Sequence, residues 1–260
     1  MRAYFLSDLH LGARYFSDPL ESERHVVRFL ESIRHDATHI FLVGDILDYW
    51  YEYRYVVPKG YTRFFGKLAE LADAGISIIW LAGNHDIWLH DYFPTELGVH
   101  VYDGSLVVHL AGKTFFLNHG DTVGRRPAKF RFIQTLFRNR FCQFLFSAIH
   151  PRWTVPLGLG WSRANRLGQR KRESKALPQA VPFSPDENSL VLFARQYKAE
   201  HPETDWFVFG HLHLLADVEI TPDCRMVLLG EWLQTYSYAL FDGDRLTLHT
   251  FPKTEAERPT

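Results

Sequence analysis

Five short apolar runs in this chain each stop at a side chain suited to holding a metal ion, and that recurrence narrows the fold more than any other feature. Residues 3–7 lead into Asp8 and His10, residues 40–43 into Gly44 and Asp45, and residues 76–81 into Gly83, Asn84, His85 and Asp86. Residues 114–117 lead into Asn118, His119, Gly120 and Asp121, and residues 206–209 into Gly210, His211, Leu212 and His213. Runs this short, rich in aromatic and branched residues and closed by Gly or Asp, read as buried strands of a sheet covered on both faces. The polar residues would then collect at one edge of one sheet.

Taken singly, each has an ordinary explanation. Asp or Asn after a strand commonly serves a turn or caps the next helix, and a lone His is commonly solvated or hydrogen-bonded. Seven such residues at strand ends outweigh that explanation. The remaining His residues, such as His25, His35, His90 and His150, have no such setting and are expected at surface or core positions. Oxygen and imidazole donors without a cysteine suit a hard or borderline divalent ion, Mn, Fe, Zn or Mg, rather than a structural thiolate site. If one carboxylate bridges, the set could hold two ions. Two metals about 3.5–4 Å apart activate a water and clamp the attacking and leaving oxygens of a phosphoryl group. Hydrolysis of a phosphoester or phosphoanhydride is the expected chemistry.

The order Asp8-x-His10, Gly44-Asp45-x-x-Asp48, Gly83-Asn84-His85-Asp86, His119 and Gly210-His211-x-His213 resembles the calcineurin-like metallophosphoesterases, across roughly residues 1–215. By that resemblance Asp8, His10 and His213 hold one ion, Asn84, His119 and His211 the other, and Asp45 bridges them. His85 is then the general acid or a charge on the transition state, with Asp86 setting its orientation. Asp48 is expected to orient a ligand rather than to be one. Within the family, residues 7–11, the His119-Gly-Asp-Thr122 block and the insert after it look like the branch that hydrolyses UDP-2,3-diacylglucosamine in lipid A synthesis. Two positions depart from that branch. It usually carries Arg where this chain has His85, and an acidic residue just beyond the His119 block, where this chain reads Val123-Gly124-Arg125-Arg126-Pro127. An Arg stays charged, whereas a His titrates near neutral pH.

At 260 residues and 46% hydrophobic content, the chain has ample material for a large α/β core. One metallophosphoesterase domain over 1–260, with a helical insertion at about 125–175, is expected. Cys142 and Cys224 lie outside any metal-binding spacing and suit a reduced cytoplasmic setting as free thiols. A strand begins almost at Met1, with no room for a signal peptide, and no apolar run approaches the roughly 20 residues of a membrane span.

Between the strands, Asp18-Pro19 opens an amphipathic stretch to about Arg34, residues 60–74 carry apolar positions at helical spacing, and Ser184-Pro185 opens a helix to about Ala199. After His213, alternating segments at 218–221, 226–229, 237–241 and 246–251 suggest a second sheet packed on the first. A four-layer α-β-β-α sandwich with a helical cap is what the resemblance implies for this order.

Residues 125–175 carry thirteen Lys and Arg against Glu173 alone, in a chain of net charge −1. Such a local field attracts a diphosphate, an anionic headgroup or a polyanion. Phe130, Ile133, Phe137, Phe141 and Phe144 fall at steps of three and four along one helical face, with Phe132, Leu136, Leu145 and Phe146 on others. A helix apolar on several sides must be covered by protein, lipid or an acyl chain. Either a buried helical pair or an acyl-binding cap meets that demand. Ser162, Asn165, Arg166, Arg170 and Lys171 are the candidate contacts for sugar, uracil or phosphate. The aromatic run from Tyr49 to Tyr55 either walls the site or packs in the core. An isoelectric point near 6.9 and the lack of a nucleic-acid module disfavour nucleic acid as partner. The expected enzyme is a dinuclear phosphohydrolase, cytoplasmic and seated on the inner face of the membrane, acting on a nucleotide-linked lipid with two divalent ions, Mn foremost. Another nucleotide, phosphodiester or phosphoprotein substrate, a nuclease and a non-catalytic metal scaffold are the alternatives.

Overall fold

The computed structural model describes residues 1–13, 16, 18–175 and 184–252, with backbone alone described over 165–175. Strands β1 (Ala3–Leu6), β2 (His39–Val43), β3 (Ser77–Leu81) and β4 (His100–Tyr102) run parallel, joined through helices α1 (Pro19–Ile33), α2 (Thr62–Asp73) and α3 (Tyr92–Leu97). Asp18 caps α1 by accepting from the Glu21 amide, ahead of Pro19 in the first turn. The α2 N-terminus has no side-chain cap of its own. Glu23 on α1 supplies one, accepting from the Arg63 and Phe64 amides at 2.7 and 3.1 Å.

A second sheet is built from β5 (Leu106–Leu110), β6 (Lys113–Asn118), β7 (Trp206–Phe209), β8 (Leu215–Thr221) and β9 (Cys224–Leu229), in the order β5-β6-β7-β9-β8. The final hairpin, β10 (Ser237–Phe241) and β11 (Leu246–Thr250), returns to the first sheet, where β10 pairs antiparallel with β1. Two sequence expectations are corrected here. Only β8 and β9 of the late strands join the second sheet, and the five ligand-bearing runs divide between both sheets, β1, β2 and β3 in one and β6 and β7 in the other. Strand periodicity is local, whereas the choice of neighbour is not.

Alternation along the strands produces the layers. Phe5, Phe41, Val43 and Leu81 meet Phe115, Leu117, Val208 and Val227 between the sheets. Tyr4, Leu6, Leu42, Ile78 and Trp80 face the other way, onto Phe29, Phe64, Leu68 and Phe93 of α1, α2 and α3. On the far side, Phe116, Phe207, Phe209 and Met226 pack against Leu190, Val191 and Ala194 of α7 (Ser189–Glu200). The order is therefore α-β-β-α. The α7 helix starts later than residue 184, because Asn188, not Ser184, accepts from the Leu190 and Val191 amides.

Between β6 and α7 lie α4 (Ala128–Arg138), α5 (Arg140–Ser147) and α6 (Pro151–Lys175). The chain turns at Asn139, whose side chain caps α5, so the apolar series from Phe130 to Phe144 is not one continuous face. Phe137 and Phe146 pack on Tyr51, Ile87 and Trp88, while Phe141 and Phe144 stay 68% and 69% exposed. Buried Gln134 holds α4 down by donating to the Asp121 carboxylate at 2.7 Å and its carbonyl at 3.0 Å.

Candidate active site

The C-terminal ends of β1, β2, β3, β6 and β7 meet at one edge of the sandwich, the usual ligand edge of such sheets. Asp8, His10 and His213 bring ligand atoms within 4.8 Å of one another, and Asp45, His119 and His211 do the same. The clusters touch at Asp45, whose Oδ2 lies 3.3 Å from His119 Nε2 and 3.9 Å from both His10 Nε2 and His85 Nε2. Asp8 Oδ1 is 3.2 Å from His213 Nε2, and the Nε2 atoms of His10 and His213 stand 3.3 Å apart. Asn84 follows β3 and lies beside His85 on a cavity wall.

The turns that present these side chains are strained in a consistent way. Asp8, His10, Asp45, His211 and His213 all have φ between 45° and 65°, the left-handed region that branched or bulky residues avoid. Each such residue costs roughly 1–3 kcal/mol and persists only where its surroundings impose it. Here the turns after β1 and β2 impose it on each other, with the Asp8 amide donating to Gly44 O at 3.1 Å and the His10 amide to Asp45 O at 3.0 Å. Gly44 also needs its missing side chain, since the His119 ring occupies the place a Cβ would take.

Hydrogen bonds select the ring nitrogens that face inward. His119 Nδ1 donates to Val43 O at 2.9 Å, which turns Nε2 toward Asp45. His85 Nδ1 donates to Asp48 O at 2.9 Å. Asp86, expected to orient His85, instead accepts from the amides of Asp45, Ile46, Leu47 and Gly83 and from Trp80 Nε1, at 2.7–3.4 Å. It braces the turn that carries Asp45, and the His85 ring is held by Asp48.

Burial works against the charge on Asp45, yet the rings of His119, His85 and His10 hold its carboxyl well below the usual range. Burial likewise disfavours imidazolium at His119, but Asp45 and Asp8 reverse this and raise it well above a normal His. His85 is raised in the same manner, burial being outweighed by Asp45 and Asp48. His211 is lowered, by burial and by the neighbouring His119 charge. A divalent cation among the same donors would replace those protons, because His ligates through its unprotonated nitrogen. Among the described residues, Asp8 Oδ1, Asn84 Oδ1 and His119 Nε2 are buried without a hydrogen bond. Oxygen and imidazole atoms left unpaired in this way fit divalent ions.

A cavity of about 470 Å³ runs from this edge into the insert. Asp48, Asn84 and His85 form its polar end, and Tyr49, Trp88, Phe137, Phe146, Leu157 and Trp161 line the rest. Tyr49 and Tyr51 of the aromatic run thus face the insert, while Trp50 is core. Ser162 is buried on the wall and donates to Asp48 Oδ1 at 2.8 Å. The side chains of Asn165, Arg166, Arg170 and Lys171 lie outside the described residues. The cavity escaped the sequence because its walls come from four separated segments, though Asp48 was visible as the last residue of its Gly-Asp motif.

A two-sheet sandwich with oxygen and imidazole donors converging at its strand ends defines a metal-dependent phosphohydrolase. The chain belongs to the calcineurin-like phosphoesterase family, whose model matches residues 1–215. A protein of Porphyromonas gingivalis (strain ATCC BAA-308 / W83) named UDP-2,3-diacylglucosamine hydrolase is 44% identical over 98% of this chain and 99% of its own length. One of the same name from Shewanella sp. (strain ANA-3) is 23% identical over 97% of this chain and 98% of its own. Among solved structures, YfcE, a phosphoesterase from E. coli, matches with a TM-score of 0.47 and 17% identity, over 96% of this chain and 93% of that one. Among the described residues, no helix is long and apolar enough to cross a membrane.

Proposed function

We propose that the chain hydrolyses the pyrophosphate of UDP-2,3-diacylglucosamine to UMP and 2,3-diacylglucosamine 1-phosphate, a step of lipid A synthesis. The observation that carries this reading is the apolar cavity ending at Asn84 and His85. A wholly polar phosphoester gains nothing from such a chamber, whereas an acylated one gains about 0.8 kcal/mol for each CH₂ it buries there. The two relatives of that name, matched along almost their whole length, support the same substrate.

In this reading Asp8, His10 and His213 hold one divalent ion, Asn84, His119 and His211 the other, and Asp45 stands between them. Mn is the proposed ion, from a donor set that also accepts Fe, Zn or Mg. When bound, the pair supplies positive charge to the phosphoryl oxygens and makes a water more acidic. His119, its Nδ1 committed to Val43 O, offers Nε2 as ligand. His85, its Nδ1 committed to Asp48 O, presents Nε2 on the Asp45 side, where it protonates the leaving oxygen or balances its charge. Asp86 keeps the Asp45 turn in place. Ser162, Asn165, Arg166, Arg170 and Lys171 lie along α6, where its basic end approaches an anionic substrate. We further propose one domain over 1–260 with the insertion at about 125–175, working in the cytoplasm at the inner face of the membrane. Exposed Phe141, Phe144 and Trp153 beside Arg140 and Arg152 would touch the lipid surface.

The test is UMP release from UDP-2,3-diacylglucosamine by purified protein with added Mn, beside a water-soluble aryl phosphodiester. Release exceeding aryl ester cleavage, and abolished in Asp45→Ala and His119→Ala, is the expected result. Full activity in either variant would rule out the site. Cleavage of the aryl ester alone would discard the lipid and favour another phosphodiester or nucleotide substrate, the reading to which His85 in place of Arg points.

A further inference from the structure

We infer that Ser162 is a positioning residue, transmitting the seating of α6 to His10 through the carboxylate of Asp48. The inference rests on the reading above, in which His10 holds a metal ion. Thr154, Gly158 and Ser162 are spaced by four along α6 and so share one face of the helix. That face is laid along the segment after β2. The Thr154 hydroxyl hydrogen-bonds the Tyr53 hydroxyl, and Gly158 lies so close to the Tyr49 ring that a Cβ would overlap it. Ser162 completes the series by donating to Asp48 Oδ1 at 2.8 Å, with both side chains buried.

The same Asp48 oxygen lies 3.4 Å from His10 Nδ1 and 3.7 Å from His85 Nδ1. The other His10 nitrogen, Nε2, faces His213 at 3.3 Å and Asp8 and Asp45 at 3.8 and 3.9 Å. One carboxylate oxygen therefore stands between a hydroxyl of the insert and the His10 imidazole, while the His85 ring is held by the Asp48 carbonyl. A carboxylate behind a ligating imidazole sets its tautomer, orientation and basicity, and its loss typically costs about 10–100-fold in metal affinity or activity. Ser162 holds one oxygen of that carboxylate, so the seating of α6 bears on how Asp48 faces His10.

The experiment compares the full-length parent, Ser162→Ala and Gly158→Ala, the second variant lifting α6 off Tyr49 without removing a polar group. Mn²⁺ binding to metal-stripped protein is followed by electron paramagnetic resonance. Steady-state kinetics are run on a small aryl phosphodiester and on UDP-2,3-diacylglucosamine, with circular dichroism to verify folding. For Ser162→Ala the expected result is about tenfold weaker binding of one Mn²⁺ and about tenfold lower kcat on both substrates, with KM for the aryl ester unchanged. Gly158→Ala is expected to reproduce the pattern, and it carries the test if Ser162→Ala does not fold. Parent-like Mn²⁺ binding and aryl ester turnover, with only a raised KM for the lipid nucleotide, would overturn the inference and make Ser162 a substrate contact. A parent that binds no Mn²⁺ would overturn it too. A parent inactive on the lipid nucleotide alone leaves the Mn²⁺ and aryl ester comparisons decisive, so the two readings fail separately.

Discussion

Asp86 and His85 are neighbours in sequence with opposite roles in the structure. Asp86 is wholly buried and accepts from four backbone amides and the Trp80 indole, so its removal leaves several buried donors unpaired. Each such donor costs roughly 1–3 kcal/mol. Asp86→Ala is therefore expected to lower unfolding free energy by about 3 kcal/mol or more, read from urea denaturation. His85 opens onto the cavity and, among the described residues, makes one side-chain hydrogen bond, to the Asp48 carbonyl. His85→Ala should leave the urea midpoint near that of the parent and lower kcat about a hundredfold. Equal losses of stability in the two variants would contradict this division. A motif displays both residues but not which way each one faces, because a carboxylate finds its donors only after β2 and β3 are side by side.

At the scale of elements, connections that cross between layers hold the helices in place. Lys198 of α7 inserts its ammonium among the Pro202 and Thr204 carbonyls and the Asp223 carboxylate, at 2.6, 2.9 and 2.8 Å, and so ties the helix to the β8–β9 turn. Lys198, then the Thr221 hydroxyl, hold the Asp223 carboxyl down to about 2. This folded value lies below the roughly 3.9 of a free aspartate, so the contribution is complete above about pH 4 and fades as pH falls toward the folded value. Asp223→Asn should lower the thermal midpoint near pH 6 by an amount that shrinks between about pH 4 and pH 2. A difference constant across that range would show that the carboxylate charge is not responsible. Helix boundaries depend on similar single contacts. The Asn139 cap divides one apolar series into α4 and α5, and the Asn188 cap delays α7 by several residues.

For the whole molecule, the sandwich supplies the strand ends and the insert supplies the cavity, and neither alone makes the site. Residues 125–164 include eight Lys and Arg and no Asp or Glu, and Phe141, Phe144 and Trp153 stay 68–69% exposed. Basic and aromatic residues together bind an anionic bilayer by charge and by shallow burial. Changing these three aromatics to Ser should reduce co-sedimentation with anionic vesicles at least about tenfold while leaving aryl phosphodiester turnover unchanged. Vesicle binding equal to the parent would remove the membrane from the proposal. The strands, their polar ends and the order of candidate ligands were legible in the sequence, because side-chain alternation and turn residues act within a few positions. The sharing of those ends between two sheets, the return of β10 to β1 and the Ser162–Asp48 contact across 114 residues were not. Local sequence determined which side chains stand at strand ends, and only tertiary packing decided which of them meet, because partner choice depends on the apolar surface buried by the whole chain at once.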